Sequence, residues 1–128
     1  MRAERLTQVL DVLMKSTEAE ISADVTVGGR LLMAQSGSLS MSYAPFDHIQ
    51  EGARLVLVGI APGAQQARNA LLDARRRLLE GRDIAHVLES AKAFASFSGP
   101  MRTNLVSMLD MIGLKHLRSR RDRRQIAF

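Results

Sequence analysis

Near the start of the chain, apolar residues recur at helical spacing. Leu6, Val9, Leu10, Leu13 and Met14 share one face, which predicts a helix over residues 2–15. Ser16 to Asp24 is polar and reads as a loop. From Val25 to Tyr43 the period falls toward two. Leu39, Met41 and Tyr43 alternate with serines, and Gly28-Gly29 and Ser36-Gly37-Ser38 supply turns, so short antiparallel strands are predicted. "YAPFDHIQEGA" is a connector containing Pro45 and Gly52. Leu55 to Gly59 is then apolar at consecutive positions, the pattern of a central parallel strand covered on both faces.

A helical pattern resumes after Gly63 and runs to about Glu80, with Ala67, Ala70, Leu71, Ala74, Leu78 and Leu79 on its apolar face. Arg75, Arg76 and Arg77 complement the dipole at its C-terminal end, and Gly81 is a stop signal. Asp83 is placed to N-cap a second helix to about Phe94. "SFSGP" breaks it. A last helix from about Met101 to Ile112 carries Leu105, Met108, Leu109 and Ile112 and closes at Gly113. There is no internal repeat. The alternation of strand-like and helical patterns defines an α/β class.

Composition narrows the function. With 128 residues and 46% apolar content, the chain is expected to form one domain with one core, over residues 1–117, followed by a tail at 118–128. There is no Cys, which excludes disulfides and thiolate metal sites. His48, His86 and His116 are far apart, so no metal and no cofactor is expected. Glu4 and Asp11 sit inside the first amphipathic pattern, which is not that of a signal peptide. The longest apolar run, Leu55 to Pro62, is too short to span a bilayer. The expected location is the cytoplasm, with no membrane partner. The net charge is +5, and Lys115 to Arg124 alone accounts for it, leaving residues 1–114 neutral. The basic character therefore belongs to the tail and describes no basic groove across the domain.

One stretch carries candidate chemistry. In "LVLVGIAPGAQQARNALL" a strand pattern meets a Gly-Ile-Ala-Pro-Gly turn and then a helix, which places backbone N–H groups where an anion can sit. No Gly-Lys-Ser/Thr follows, so it is not a Walker loop, and the spacing is not that of a dinucleotide fingerprint. Taken alone, the turn is an ordinary Gly/Pro strand-to-helix connection.

Downstream lies "FSGPMRTNLVSMLDMIGLKHL", Phe97 to Leu117. Gly59-Ile60-Ala61-Pro62-Gly63, Phe97-Ser98-Gly99 and Leu109 to Leu114 together resemble the amino-terminal half of the uracil-DNA glycosylase superfamily. "YAPFDHIQEG" resembles the lead-in of some microbial members, and the likeness covers about residues 43 to 117. The resemblance implies a three-layer α/β sheet fold. It also implies a partner, DNA, and a reaction without metal or cofactor, in which a damaged or modified base is flipped out and its N-glycosidic bond is hydrolysed. It places Gly59, Ile60, Ala61, Pro62, Gly63 and Gln65 beside the extruded base, with Phe97 stacking on it.

The chain also departs from the family. Members carry an Asp, Asn or Glu within the turn, or an Asp just after the Phe-x-Gly segment, to position the attacking water. Here those positions are Ile60, Ala61 and Pro100, none of which polarises water. The turn is most similar to the branch with an apolar Gly-x-Ala-Pro-Gly motif. Members also continue into a second half with further strands and a late His-Pro-Ser-type loop, and no His-Pro-Ser occurs here. The expectation is an incomplete sheet: a truncated or frameshifted relative, or one piece of an assembly in which a second chain or a C-terminal half completes it.

Gln65 and Gln66 either bond a base edge or a phosphate, or stand solvated in the first helical turn. Asp73 and, in the last helix, Asp110 are candidate carboxylate bases, with surface pairing of Asp73 to Arg77 the favoured expectation. Arg102, at a helix start, is a candidate phosphate ligand, as are Arg118, Arg120, Arg121, Arg123 and Arg124 in the tail. Two rival functions stand beside the glycosylase reading. One is a non-catalytic nucleic-acid-binding or interaction module held by the Arg tail. The other is a structural piece that completes its sheet with a partner chain.

Overall fold

The computed structural model describes residues 2–27, 29–114 and 126–127. The chain is mixed α/β. In order it forms α1 (Arg2–Lys15), α2 (Glu18–Val27), β1 (Leu32–Ser36), β2 (Leu39–Ser42), β3 (Leu55–Val56), α3 (Ala64–Leu79), α4 (Ile84–Ala95), α5 (Pro100–Met111) and β4 (Ile126–Ala127). β1 and β2 form an antiparallel hairpin, and β3 and β4 pair in parallel.

The core belongs to the helices. Leu6 and Leu13 of α1, Ile21 of α2, Ala70, Leu71 and Ala74 of α3, and Val87, Leu88, Ala91 and Ala95 of α4 form one buried cluster, joined by Leu31 and Tyr43. α3 and α4 pack antiparallel through a short connection at Gly81, whose φ of +74° closes α3 as only glycine does without strain. Alanines on both facing stripes let the two backbones approach closely. Fully burying Leu71 contributes about 1.5–3 kcal/mol.

Four expectations change. Ser16 to Asp24 is not a loop, because α2 begins at Glu18. Thr17 Oγ1 accepts from the Glu20 amide at 3.3 Å, and Glu20 Oε2 accepts from the Thr17 amide at 2.7 Å. This is a reciprocal capping box, and "TEAE" spells it. The helix then continues through Val25, which packs beside the core, so the strands begin at Leu32 rather than in the Val25 region. The turn at Gly37, with φ +57°, forms as expected. Gly28 lies outside the described residues.

The Leu55–Gly59 run does not become a central strand covered on both faces. Among the described residues only Leu55 and Val56 of the run pair, with Ile126 and Ala127. Val58 is 88% exposed and Val56 60%. Apolar character on both faces of the run needs neighbours on both sides, and the described helices cover neither Val56 nor Val58. Asp73 also departs from expectation. Its side chain is 1% exposed, accepts from Ser90 Oγ at 2.7 Å, and pairs with Arg76 and, at 3.8 Å, with Arg77. It is an α3–α4 interface carboxylate rather than a surface one.

Asp83 caps α4 as expected, accepting from the His86 amide at 3.0 Å. That bond holds its carboxyl below the ordinary value of 3.8. A lowered folded pKa contributes stability that is present above the unfolded value and lost as pH falls through the folded one. Asn caps a helix about as well without charge. Urea denaturation of the native chain and of Asp83→Asn should therefore differ at neutral pH, and the difference should close on acidification below about pH 4.

Candidate functional site

The α3–α4 hairpin brings the start of α3 beside the end of α4. The Gly59–Gly63 turn thereby meets the Ser96–Gly99 segment, although the chain between them is two helices long. Between the two lies an open cavity of about 660 Å³. All seven residues assigned to a base pocket from sequence line it: Gly59, Ile60, Ala61, Pro62, Gly63, Gln65 and Phe97. The volume lies within the range of small-molecule sites.

Phe97 has φ +51°, and among the described residues it is the one non-glycine in the left-handed region. A phenylalanine held there costs about 1–2 kcal/mol and needs surroundings that over-determine it. Those surroundings are visible. Gly99, at φ +80°, turns the chain into α5, and Pro100 takes the first helical position. Arg102 reaches back to the end of α4. Its guanidinium donates to the carbonyls of Ala93 at 2.8 Å, Phe94 at 3.0 Å and Ser96 at 3.2 Å. It caps carbonyls that the last turn of a helix leaves without intrahelical donors. The Phe97 ring faces the turn, and a Cβ placed on Gly59 would sit 3.8 Å from Phe97 Cζ.

Other side chains complete the lining, and reading the sequence did not assign them: Phe46, Leu57, Lys92 and Met101. Phe46 is brought in by its connector, which is pinned twice. Tyr43 Oη donates to Asp47 at 2.8 Å, and Lys92 Nζ donates to the His48 carbonyl at 2.6 Å. Burial, reinforced by the Asp47 carboxylate, pushes the Tyr43 phenol well above its ordinary value. Lys92 lies one turn before Ser96 on α4, so helical spacing from the Phe-Ser-Gly segment was the available signal.

The polar groups at the cavity are amides, hydroxyls and one ammonium. Gln66 Oε1 accepts from the Gly63 amide at 3.3 Å, Gln65 Nε2 donates to Asn69 Oδ1 at 3.0 Å, and Asn69 Nδ2 donates to Ser98 Oγ at 3.0 Å. Among the described residues, no carboxylate, histidine or tyrosine lines it. The site can enclose and stack a planar apolar-faced group and bond its edge. Its described lining offers no carboxylate or imidazole base, and its one amine, Lys92, donates to the His48 carbonyl. Asp73 lies in a separate cavity between α3 and α4, and Asp110 lies on α5 away from the lining. Of the expected phosphate ligands, Arg102 is turned onto α4, and Arg118, Arg120, Arg121, Arg123 and Arg124 lie outside the described residues. Among the described residues there is no cluster of His, Asp and Glu able to hold a metal ion, and no helix is long and apolar enough to cross a membrane.

Comparison with known proteins finds a partial relative. The uncharacterized protein YoxB of Bacillus subtilis strain 168 is 40% identical over 81 residues, which covers 62% of this chain and 32% of YoxB. The chain thus spans about a third of the length of the curated relative it matches. No family model and no solved structure matches.

The role of Arg102 separates two outcomes. Arg102→Gln should lower stability by about 1.5–3 kcal/mol in denaturant unfolding, because bonds from a charged donor to the α4 carbonyls are lost. It should leave the salt dependence of any DNA binding unchanged. A salt slope lower by about 0.9 would instead make Arg102 a phosphate ligand.

Proposed function

We propose that this chain is the base-binding portion of a DNA-glycosylase-like protein, which encloses a flipped damaged or modified base between the Gly59–Gly63 turn and Phe97. The observation that carries the reading is the convergence on one cavity of seven residues drawn from two motifs far apart in sequence. The strained Phe97 supports it, since residues held at positive φ cluster at ligand sites and this ring lines the cavity. In such a protein the cavity binds the base by stacking and edge hydrogen bonds, and hydrolysis of the N-glycosidic bond follows without a cofactor.

The water-activating group of that reaction is not supplied by the described lining of the cavity. We assign it to a further segment or a second chain that would add strands alongside Leu55–Val58 and extend the pair into a three-layer sheet. The exposure of Val56 and Val58 supports that placement. The same lack of a carboxylate favours a second reading, in which the chain binds nucleic acid without catalysis and the Arg118–Arg124 segment neutralises phosphates.

Stacking on an aromatic ring is worth about 1–3 kcal/mol per base. Phe97→Ala should therefore weaken binding to DNA carrying an unpaired uracil, hypoxanthine or bulky modified pyrimidine by about five- to 150-fold. Fluorescence anisotropy measures it, and equal affinity of the native chain for unmodified DNA would sink the recognition reading. An abasic-site strand-cleavage assay on the same oligonucleotides scores hydrolysis. The tail reading is checked separately by removing residues 115–128 and comparing affinity at two salt concentrations. Loss of most of the affinity at low salt is expected if the arginines hold the DNA.

A further inference from the structure

Asn69 stands one turn beyond Gln65 on α3 and faces the Ser96–Gly99 segment at the end of α4. It does not line the base cavity, yet it bonds two residues that do. Its Oδ1 accepts from Gln65 Nε2 and its Nδ2 donates to Ser98 Oγ, both at 3.0 Å. An asparagine amide has one acceptor end and one donor end, so it cannot treat its two neighbours alike. Gln65, donating through its nitrogen to Asn69, keeps its carbonyl oxygen for the cavity. Ser98, accepting on its oxygen, keeps its O–H to donate.

We propose that Asn69 is a positioning residue that sets the hydrogen-bond polarity of the cavity, so that Ser98 offers a donor and Gln65 an acceptor to one ligand edge. The rest of the lining is mainly apolar, the turn and the rings of Phe46 and Phe97 foremost, and two of its other polar side chains are already engaged, Lys92 on the His48 carbonyl and Gln66 on the Gly63 amide. The chemical class that satisfies both is a neutral planar heterocycle carrying a ring carbonyl beside an N–H, a lactam edge. A fully aromatic hydrocarbon fills the same space and leaves both groups unpaired, which carries a cost. This inference rests on the base-binding reading of the cavity and adds to it which edge is read and which residue outside the cavity decides it.

The test uses the full chain and two pairs of small probes. Deoxyuridine and deoxyinosine carry the lactam edge. Their aryl isosteres, with fluorine in place of each ring carbonyl oxygen, keep the shape and lose the hydrogen-bonding edge. Affinities are read by NMR titration. The native chain should prefer the lactam probes. Asn69→Asp places acceptors toward both neighbours, so the Ser98 hydroxyl turns to the introduced carboxylate and is withdrawn from the ligand. Lactam affinity should fall about tenfold while isostere affinity stays the same. Ser98→Ala should produce the same selective loss, and the double variant should lose no more than either single one, because both remove one donor. Ser98→Ala also keeps the test open if the Asn69 variant folds poorly. Equal losses on lactam and isostere would make Asn69 a packing residue and overturn this inference while leaving the cavity reading intact. Failure of the native chain to bind either class of probe would overturn both.

Discussion

The antiparallel packing of α3 on α4 is the contact on which the rest of the structure depends. Ala70, Leu71 and Ala74 meet Val87, Leu88, Ala91 and Ala95, and α1 and α2 close over them with Leu6, Leu13 and Ile21. A helical hairpin with a short turn has one geometric consequence: the residues entering the first helix lie beside the residues leaving the second. The Gly59–Gly63 turn enters α3, and the Ser96–Gly99 segment leaves α4. Their meeting at one cavity follows from hairpin closure and does not require a complete sheet.

The cavity walls inherit rigidity from the same pair of helices. The end of α4 is tied by Arg102 from α5, the start of α3 is tied by Gln66 on the Gly63 amide, and Asn69 joins the two across the gap. These bonds hold Phe97 in a conformation that a free phenylalanine avoids. Preorganisation of this kind favours ligand binding, because the ordering cost is already met in the folded chain. Proton transfer is a separate requirement, and among the described residues no carboxylate, histidine or tyrosine lines the cavity.

Much of the fold was legible from local pattern. The capped helices around Gly81, Asp83, Gly99 and Gly113 and the Gly37 hairpin follow from residues whose preferences are set by their own backbone geometry. α2 was hidden because Ser16–Asp24 is polar throughout its first half, although the Thr17–Glu20 capping box was there to be read. The apolar run at Leu55–Val58 misled for the opposite reason. Its composition describes a buried strand, but burial depends on what packs against it, and among the described residues only Ile126 and Ala127 pair with it.

For the site, the sequence by itself determined the two motif segments, the strand-turn-helix geometry at Gly63, and the absence of a polar group at Ile60, Ala61 and Pro100. Those are properties of residue identity and neighbouring positions. Tertiary structure alone decided that Phe46, Lys92 and Met101 join the lining, that Arg102 turns inward onto α4 carbonyls, that Asp73 is buried between helices, and that Asn69 links Gln65 to Ser98. Each depends on how one element is set against another. Such contacts are selected by the packing of whole helices, which local spacing encodes only in part, as for Lys92 one turn before Ser96.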